Sequence, residues 1–254
     1  MTAHSYACYD TDHMLHVVCV NCGEKYGDIY VDRLYAMVSR HLHVPFDFTC
    51  FTDRPRQISG EIIQFDTTPW ALRGWFNKLK LLDAPAMPYD SMLFFDISLI
   101  IKADLQPLVD YVQDHPFVIV RDWHYDCFNS CVMWITGHDR TQQVWAEYMA
   151  GTVYQTRHHG DQDFIHAVFR ANGWLASTCT FPPSWIVSYK NLRRTRRFAP
   201  TESAQLLDGA LVLKFHGFPK PHELLMPEVH IALSKRLFFF DSQYLVPQIR
   251  DWWQ

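Results

Sequence analysis

Short apolar runs that alternate with helical segments are the feature that most constrains the fold of this chain. His16 to Val20 predicts a strand, and Tyr30 to Leu42 carries its apolar residues on one helical face and ends before Pro45. The alternation continues with strands predicted at 46–53, 61–66, 91–103, 117–121, 129–136 and 211–215, and helices at 77–82, 103–112, 140–150 and 161–172. This order predicts an α/β fold with a mainly parallel central sheet and helices on both faces.

The composition is that of a globular protein. The chain has 254 residues, 48% of them hydrophobic, and no linker rich in Gly, Ser or Pro divides it, so one domain over 1–254 is expected. The segment 241–254 carries two tryptophans, Trp252 and Trp253, near its end and is expected to dock on the domain, to dimerise or to touch a membrane surface. A formal net charge of -4 disfavours a nucleic-acid partner.

The sequence predicts a cytoplasmic location, with peripheral contact at the inner face of a membrane as an option. No apolar run approaches the roughly 20 residues that span a bilayer, and the first residues do not read as a signal peptide. The seven cysteines are odd in number, which favours reduced core thiols. Cys19 and Cys22 form a lone C-x-x-C, for which a structural role is favoured over a redox pair or half a zinc site.

One predicted strand carries a charge in its middle. The stretch "SMLFFDISLIIKA", residues 91–103, is apolar on both sides of Asp96. A buried carboxylate costs several kcal/mol unless it is paired, hydrogen-bonded or holding a cation. On an extended chain, Asp96 and Ser98 face the same side about 6 to 7 Å apart, which suits one cation. The alternative is that Asp96 caps a loop or pairs with an arginine such as Arg73 or Arg121.

The run "LFFDIS" resembles the D-x-D region of GT-A glycosyltransferases, in which acidic residues hold a divalent ion against the diphosphate of a sugar nucleotide. "KFHGFPKPHE" resembles the His-x-x-Gly-x-x-Lys-Pro signature of family 8 and related transferases. The resemblance implies that Asp96, Ser98 and His216 are the metal ligands. It also implies that Lys220 contacts the diphosphate and that Gly217 lets the backbone approach the ligand.

Further segments resemble the same family in the same order along the chain, from about residue 16 to 223. "GDQDFI" is similar to the Asp-Gln-Asp segment beside the sugar, and "NSCVM" to a strand on the acceptor side. "GWFNKLKLL" lies where a basic residue meets the nucleotide, and "VVCVNCGEKY" where base and ribose contacts fall. The residues that this implies for the site are Asp161, Gln162 and Asp163 (catalytic), Asn129 and Ser130 (acceptor side), and Lys78, Val20 and Asn21 (donor binding).

The resemblance implies transfer of a hexose from a nucleotide-diphosphate sugar, by default a UDP-sugar, to a hydroxyl group of a glycan or another acceptor. Mn²⁺ or Mg²⁺ and nearby lysines are expected to stabilise the departing diphosphate. Family 8 implies retention of the anomeric configuration, with Gln162 near the anomeric carbon. An inverting enzyme would instead use Asp161 or Asp163 as the general base.

Ser98 departs from the family pattern, since a neutral hydroxyl replaces the second carboxylate. Three interpretations follow: the diphosphate brings the ion, which is the favoured one; the enzyme uses Lys78 and Lys220 instead; or the protein binds without turnover. The last gives the rival hypothesis of an inactive sugar-nucleotide-binding or interaction protein. A nucleotidyltransferase is a third hypothesis, but the chain lacks a Gly-rich N-terminal loop.

The strongest run of charge, "NLRRTRRF", contains four arginines. It indicates either a solvated loop or a contact with an anionic acceptor or membrane surface. The residues concerned are Arg193, Arg194, Arg196 and Arg197.

Overall fold

The computed structural model describes residues 14–158, 160–227 and 243–254. The strands are β1 (Leu15–Asn21), β2 (Phe46–Thr52), β3 (Ile63–Asp66), β4 (Ser91–Phe95), β5 (Leu99–Ile101), β6 (Phe117–Arg121), β7 (Phe128–Thr136), β8 (Cys179–Thr180), β9 (Ile186–Ser188) and β10 (Val212–Lys214). The helices are α1 (Ile29–His41), α2 (Asn77–Lys80), α3 (Gln106–Val112), α4 (Asp139–Met149), α5 (Asp161–Ala171), α6 (Tyr189–Phe198), α7 (Pro200–Gly209), α8 (Pro221–Leu225) and α9 (Val246–Trp252).

A seven-stranded sheet in the order β3-β2-β1-β4-β7-β6-β8 forms the centre of the fold. Its neighbouring strands pair in parallel except at β7, which is antiparallel to both β4 and β6. Alternate residues of β1 enter two separate apolar clusters: Val17 and Cys19 pack in the cluster that contains α1, and Val18 in the one that contains α5. The predicted α/β class, with a mainly parallel sheet and helices on both faces, is confirmed.

The prediction of one continuous strand over 91–103 is wrong. The chain leaves the large sheet at Phe95 and enters a second sheet, of order β5-β10-β9, at Leu99. Between them the Asp96 carboxylate accepts the Ser98 backbone N–H at 3.0 Å and the Ser98 hydroxyl at 3.0 Å. The Asp96 carboxylate is therefore hydrogen-bonded to Ser98 within a turn. The two side chains are not separated along an extended strand, as the sequence had predicted.

The arginine run is helical rather than a solvated loop. It lies on α6, whose first turn is capped by the Ser188 hydroxyl, which accepts the Asn191 backbone N–H at 3.3 Å. Tyr189 and Leu192 bury one face of this helix in the apolar core. The arginines therefore project from a fixed helix beside the second sheet.

Residues 252–254, at the end of the C-terminal helix α9 and just beyond it, contact α1. Trp253 is buried, and the Arg33 guanidinium lies 4.1 Å from the centre of its ring. Arg40 donates to the backbone carbonyls of Trp252 and Gln254 at 3.3 and 3.1 Å. The part of the predicted aromatic segment at 241–242 lies outside the described residues. No helix in the described ranges is long and apolar enough to cross a bilayer.

The described cysteines are free thiols, and Cys8 lies outside the described residues. Burial raises the pKa of Cys19 well above its ordinary value and that of Cys22 to about 11. The Cys22 thiol lies 3.4 Å from the Thr67 hydroxyl. Both thiols of the C-x-x-C are thus protonated at neutral pH.

Candidate active site

A cleft of about 650 Å³ opens where β1 and β4 end. Ligands of parallel α/β sheets bind beyond these carboxyl ends. The cleft gathers most of the residues predicted from the sequence: Val20, Asn21, Lys78, Asp96, Ser98, Asn129, Ser130, Asp161, Gln162, His216, Gly217 and Lys220. Asp163 lies apart from them, in a neighbouring pocket of about 400 Å³ that also contains His166.

The partner of Asp96 is Lys214, a residue that was not among those predicted for the site. Lys214, the last residue of β10, donates from Nζ to Asp96 Oδ2 at 2.7 Å and to Ser98 Oγ at 3.0 Å. Both side chains are largely buried, with 8% of Lys214 and 22% of Asp96 exposed. The arginine partners considered from the sequence are not used, since Arg121 pairs with Asp126 at 2.7 Å and Lys214 takes the place proposed for Arg73.

Three lysines surround the Asp96 carboxylate. Burial alone would raise the pKa of Asp96, but the ammonium groups of Lys214, Lys78 and Lys220 hold it well below its ordinary value. The carboxylate is thus ionised at all physiological pH values. Because three ammonium groups face two carboxylates, those of Asp96 and Asp161, the cluster keeps a net positive charge and favours anionic ligands.

Lys220 is joined to this cluster through one backbone carbonyl. Its Nζ donates to the Phe215 carbonyl at 3.0 Å, and the Ser98 hydroxyl oxygen lies 3.1 Å from the same carbonyl oxygen. Burial, and then the charge of Lys214, lower the pKa of Lys220 to about 7. Gly217 has φ +72, and a Cβ there would lie 3.0 Å from Lys190 Nζ, so this turn requires glycine.

Lys78 and Asp161 form a second ion pair, deeper in the cleft. Lys78 Nζ lies 2.7 Å from Asp161 Oδ2 and donates to the Ser130 hydroxyl at 3.0 Å. The Ser130 hydroxyl in turn donates to Asp161. Burial would lower the pKa of Lys78, but the carboxylates of Asp161 and Asp96 raise it above its ordinary value. Lys78 therefore stays charged, and the Asp161 carboxylate is its ion-pair partner.

Two asparagines line the cleft, Asn21 on β1 and Asn129 on β7. Asn129 donates its amide to Asp122 at 2.8 Å, which fixes its orientation. Asn21, at the end of β1, is 2% exposed, and neither its amide nitrogen nor its amide oxygen has a hydrogen-bond partner among the described residues. A buried amide without partners is costly, so a polar ligand in the cleft would satisfy it.

His216 faces other residues than Asp96. Its Nε2 lies 2.6 Å from the Ser188 hydroxyl, and its ring stacks on His124 with 6.0 Å between ring centres. Burial and the charges of Lys190 and Lys214 lower the pKa of His216 to about 3, so the ring is neutral. Counted back from Gly217 and Lys220, the spacing His-x-x-Gly-x-x-Lys places the signature's histidine at position 214. The assignment of that position to His216 is corrected here: Lys214 occupies it.

The fold resembles solved glycosyltransferases at low sequence identity. The match to GlyE of Streptococcus pneumoniae has a TM-score of 0.60 and 14% identity, and covers 94% of this chain and 63% of GlyE. The bifunctional glycosyltransferase WbbM matches with a TM-score of 0.62, 15% identity, and 94% and 52% coverage. The galactosyltransferase LgtC matches with a TM-score of 0.56, 15% identity, and 92% and 96% coverage. This chain has the GT-A glycosyltransferase fold.

The predicted resemblance to GT-A transferases is thereby confirmed at the level of the fold. The chain spans somewhat under two thirds of GlyE and about half of WbbM. No protein-family model matches the sequence, and no curated protein matches it.

The metal-ligand set expected from the GT-A resemblance does not fit a divalent cation as these residues lie. Asp96 Oδ2 accepts from the Lys214 ammonium, Asp96 Oδ1 accepts from Ser98, and His216 Nε2 bonds Ser188. Within the described ranges, no three His, Cys, Asp or Glu side chains come together as a possible metal site. A hard divalent cation needs several free oxygen ligands. The Lys214 ammonium group already bonds the Asp96 and Ser98 oxygens that would be those ligands.

Besides Lys214, the cleft contains residues that were not predicted from the sequence, among them Tyr26 and Asp122. Tyr26 lies 5.2 Å from Lys220 Nζ, measured from the centre of its ring, and burial followed by the charge of Asp96 raises its pKa. Asp122 fixes Asn129. Neither carried a sequence signal, because each lies in a polar loop. Lys214 did carry one, since it is a charge in the apolar run "LVLKF", just as Asp96 is in its own run.

Proposed function

We propose that this protein transfers a hexosyl group from a nucleotide-diphosphate sugar, by default a UDP-sugar, to a hydroxyl group of a glycan or another acceptor. The observation that carries the proposal is the convergence of Lys78, Lys214 and Lys220 on one cleft at the carboxyl ends of β1 and β4. A diphosphate is the ligand whose charge matches such a cluster. The GT-A fold of the chain supports the same conclusion.

The nucleoside is proposed to lie at the end of β1. Asn21 offers there one amide donor and one amide acceptor, both unsatisfied among the described residues. A pyrimidine base or a ribose presents complementary groups. Val20 and the ring of Tyr26 also line the cleft and supply apolar contact. This arrangement supports the donor-binding roles predicted for Val20 and Asn21.

In the proposed reaction, the bond between the anomeric carbon and the diphosphate oxygen breaks and the acceptor oxygen takes its place. With retention by same-face attack, the acceptor proton passes to the departing diphosphate. Lys78, Lys214 and Lys220 would stabilise the charge that grows on that group. Gln162, in the cleft wall, is proposed to lie beside the anomeric carbon. Asp161 serves chiefly to hold Lys78, which disfavours it as a general base for inversion.

The acceptor is proposed to enter past Asn129 and Ser130, which line the cleft on β7, separated from β1 by β4. An anionic acceptor stays a prediction. Arg194 supports this prediction, because it lines an adjoining hollow that shares His124 with the cleft. Arg196 does not, because its guanidinium lies 3.7 Å from the centre of the Tyr244 ring. The location in the cytoplasm or at the inner face of a membrane also stays a prediction.

Calorimetric titration with UDP, together with release of sugar from a panel of UDP-sugars, tests this proposal. We expect UDP to bind in the micromolar range, which corresponds to about -8 kcal/mol, and one donor to be hydrolysed slowly without an acceptor. Asn21→Ala should weaken UDP binding by about tenfold, since it removes two hydrogen-bonding groups. Lys102→Met, which removes a lysine that bonds the Asp208 carbonyl outside the cleft, is the matched control.

Two outcomes would contradict transfer in different ways. If neither UDP nor another nucleoside diphosphate binds, with or without Mn²⁺, the cleft is not a donor site. Tight binding with no turnover of any donor would favour the alternative, a catalytically inactive sugar-nucleotide-binding protein of the same fold.

The affinity for UDP should fall as the pH rises above about 7, because Lys220 then loses its proton in the free protein. The decline should approach tenfold per pH unit while the bound lysine stays protonated. UDP itself is fully ionised in this range, since a terminal phosphate has a second pKa of about 6. In Lys220→Arg the guanidinium stays charged, so the profile from pH 7 to 9 should flatten. A wild-type affinity that stays constant over this range would show that Lys220 does not contact the diphosphate.

A further inference from the structure

Lys214 Nζ lies between the side-chain oxygens of Asp96 and Ser98, two of the residues predicted to hold a metal ion. It donates to Asp96 Oδ2 at 2.7 Å and to Ser98 Oγ at 3.0 Å. The strand pairing fixes this position: Lys214 is paired with Leu99 on one side and with Ser188 on the other. Because the backbone on either side belongs to a sheet, the ammonium group is held in place before any ligand arrives.

Charge balance relates this arrangement to a metal site. Two carboxylates with one divalent cation form a neutral unit. One carboxylate with one ammonium group, and a hydroxyl in place of the second carboxylate, also form a neutral unit. Ser98 and Lys214 therefore compensate each other: the serine removes one negative charge, and the lysine supplies one positive charge where a cation would supply two.

The ammonium group has capacity left for a ligand. A lysine has three N–H donors, and the described residues accept two of those of Lys214. Lys214 also lines the cleft, with Lys78 and Lys220 beside it. The third N–H can therefore meet a phosphate oxygen together with those two lysines.

We propose that the ammonium group of Lys214, held by Asp96 and Ser98, replaces the divalent cation, so that this protein binds the diphosphate of its donor without a metal ion. The inference rests on the proposed function, because it concerns how that donor is held. It explains why Ser98 stands in place of a second carboxylate.

The first test is calorimetric titration of the full chain with UDP, once with Mn²⁺ and once with excess chelator. We expect the two dissociation constants to agree within about twofold. In chelator, Lys214→Met should bind UDP at least about tenfold more weakly. Lys102→Met should bind it like the wild type, since its ammonium group bonds a backbone carbonyl away from the cleft.

A second test follows Mn²⁺ alone by electron paramagnetic resonance and does not depend on turnover or on UDP. The wild type should bind Mn²⁺ no more tightly than Asp96→Asn does. The double variant Lys214→Ala and Ser98→Asp removes the ammonium group and restores two carboxylates. It should bind Mn²⁺ at least about tenfold more tightly than the wild type, with circular dichroism confirming that it is folded.

The outcomes separate this inference from the proposed function. If the wild type binds UDP with Mn²⁺ but not in chelator, a metal ion holds the diphosphate: the inference is overturned and the proposed function stands. Tight wild-type binding of Mn²⁺ that Asp96→Asn abolishes overturns it as well, even if Lys214→Met fails to fold. If neither UDP nor another nucleoside diphosphate binds under either condition, the proposed function itself fails, and this inference fails with it.

Discussion

Replacing Lys78 by methionine is expected to lower the free energy of unfolding by about 3–5 kcal/mol, the cost of leaving one partner of a buried ion pair without its counter-charge. The Lys78 and Asp161 side chains are only 12% and 7% exposed, and their charged atoms lie 2.7 Å apart. Urea denaturation followed by tryptophan fluorescence measures the change. The double variant Lys78→Met and Asp161→Asn should lose less than the sum of the single variants, because neither charge is then stranded.

A matched control lies on the surface of the same protein. Arg121 and Asp126 are also 2.7 Å apart, but their side chains are 68% and 83% exposed. Arg121→Met should therefore change the free energy of unfolding by less than about 1 kcal/mol. If Lys78→Met costs no more than Arg121→Met, burial does not govern the strength of the cleft pair. Additive effects of Lys78→Met and Asp161→Asn would show that the two side chains do not interact in solution.

The same substitution bears on the proposed reaction. Lys78 is held against Ser130 and Asp161, so its ammonium group has a fixed position in the cleft. If it stabilises the departing diphosphate, Lys78→Met should lower kcat for donor hydrolysis by about 10² to 10³, as the loss of one fixed donor to a developing anion does. A variant that stays folded and keeps the wild-type kcat would assign Lys78 a structural role alone.

The central sheet was predictable because its strands carry their own signal. The apolar residues of β1 and β4 are continuous over several positions, which is what a strand buried on both faces requires. The break at Asp96 was not predictable in the same way. The residues on both sides of it are apolar, and a pattern of buried residues is the same whether the chain continues in one sheet or crosses into another.

The second sheet and its helices were harder to predict than the first. β10 was predicted at 211–215, but β9 contains only three residues, too few for periodicity to show, and it was not predicted. Helix α6 is dominated by arginines, so its charge obscured the apolar face formed by Tyr189 and Leu192. The cap at Ser188 was the available signal for this helix, since serine just before a helical segment is a typical start.

The position of Lys214 was recoverable from the sequence, although its contact with Asp96 was not. The two charges lie 118 positions apart in the chain, each in an apolar run, and their signs are opposite. Two buried charges of opposite sign in one chain are expected to pair, because each would otherwise lose hydration without compensation. Which strands bring them together depends on the pairing of β10 with β5, and no local pattern encodes that pairing.

Removing the Asp96 carboxylate should leave the Lys214 ammonium group buried without its counter-charge. The effect should therefore be a loss of stability, and not only the loss of a ligand-binding group. Asp96→Ala is expected to lower the free energy of unfolding by about 3 kcal/mol, the lower end of the range for buried pairs, because 22% of the carboxylate side chain is exposed to the cleft. Lys214→Met should cost a similar amount. Denaturation in excess chelator removes any contribution from bound metal ions.

The pair Asp96→Asn and Lys214→Met decides how the two residues are related. If the ammonium group and the carboxylate depend on each other, the double variant should recover at least about 1 kcal/mol relative to the sum of the two single variants. If Asp96 instead serves a metal ion and Lys214 points elsewhere in solution, the two effects should add, and Mn²⁺ should stabilise the wild type but not Asp96→Asn. If the effects of the two substitutions are not additive and Mn²⁺ does not stabilise the wild type, the negative charge of Asp96 is neutralised by Lys214 and not by a metal ion.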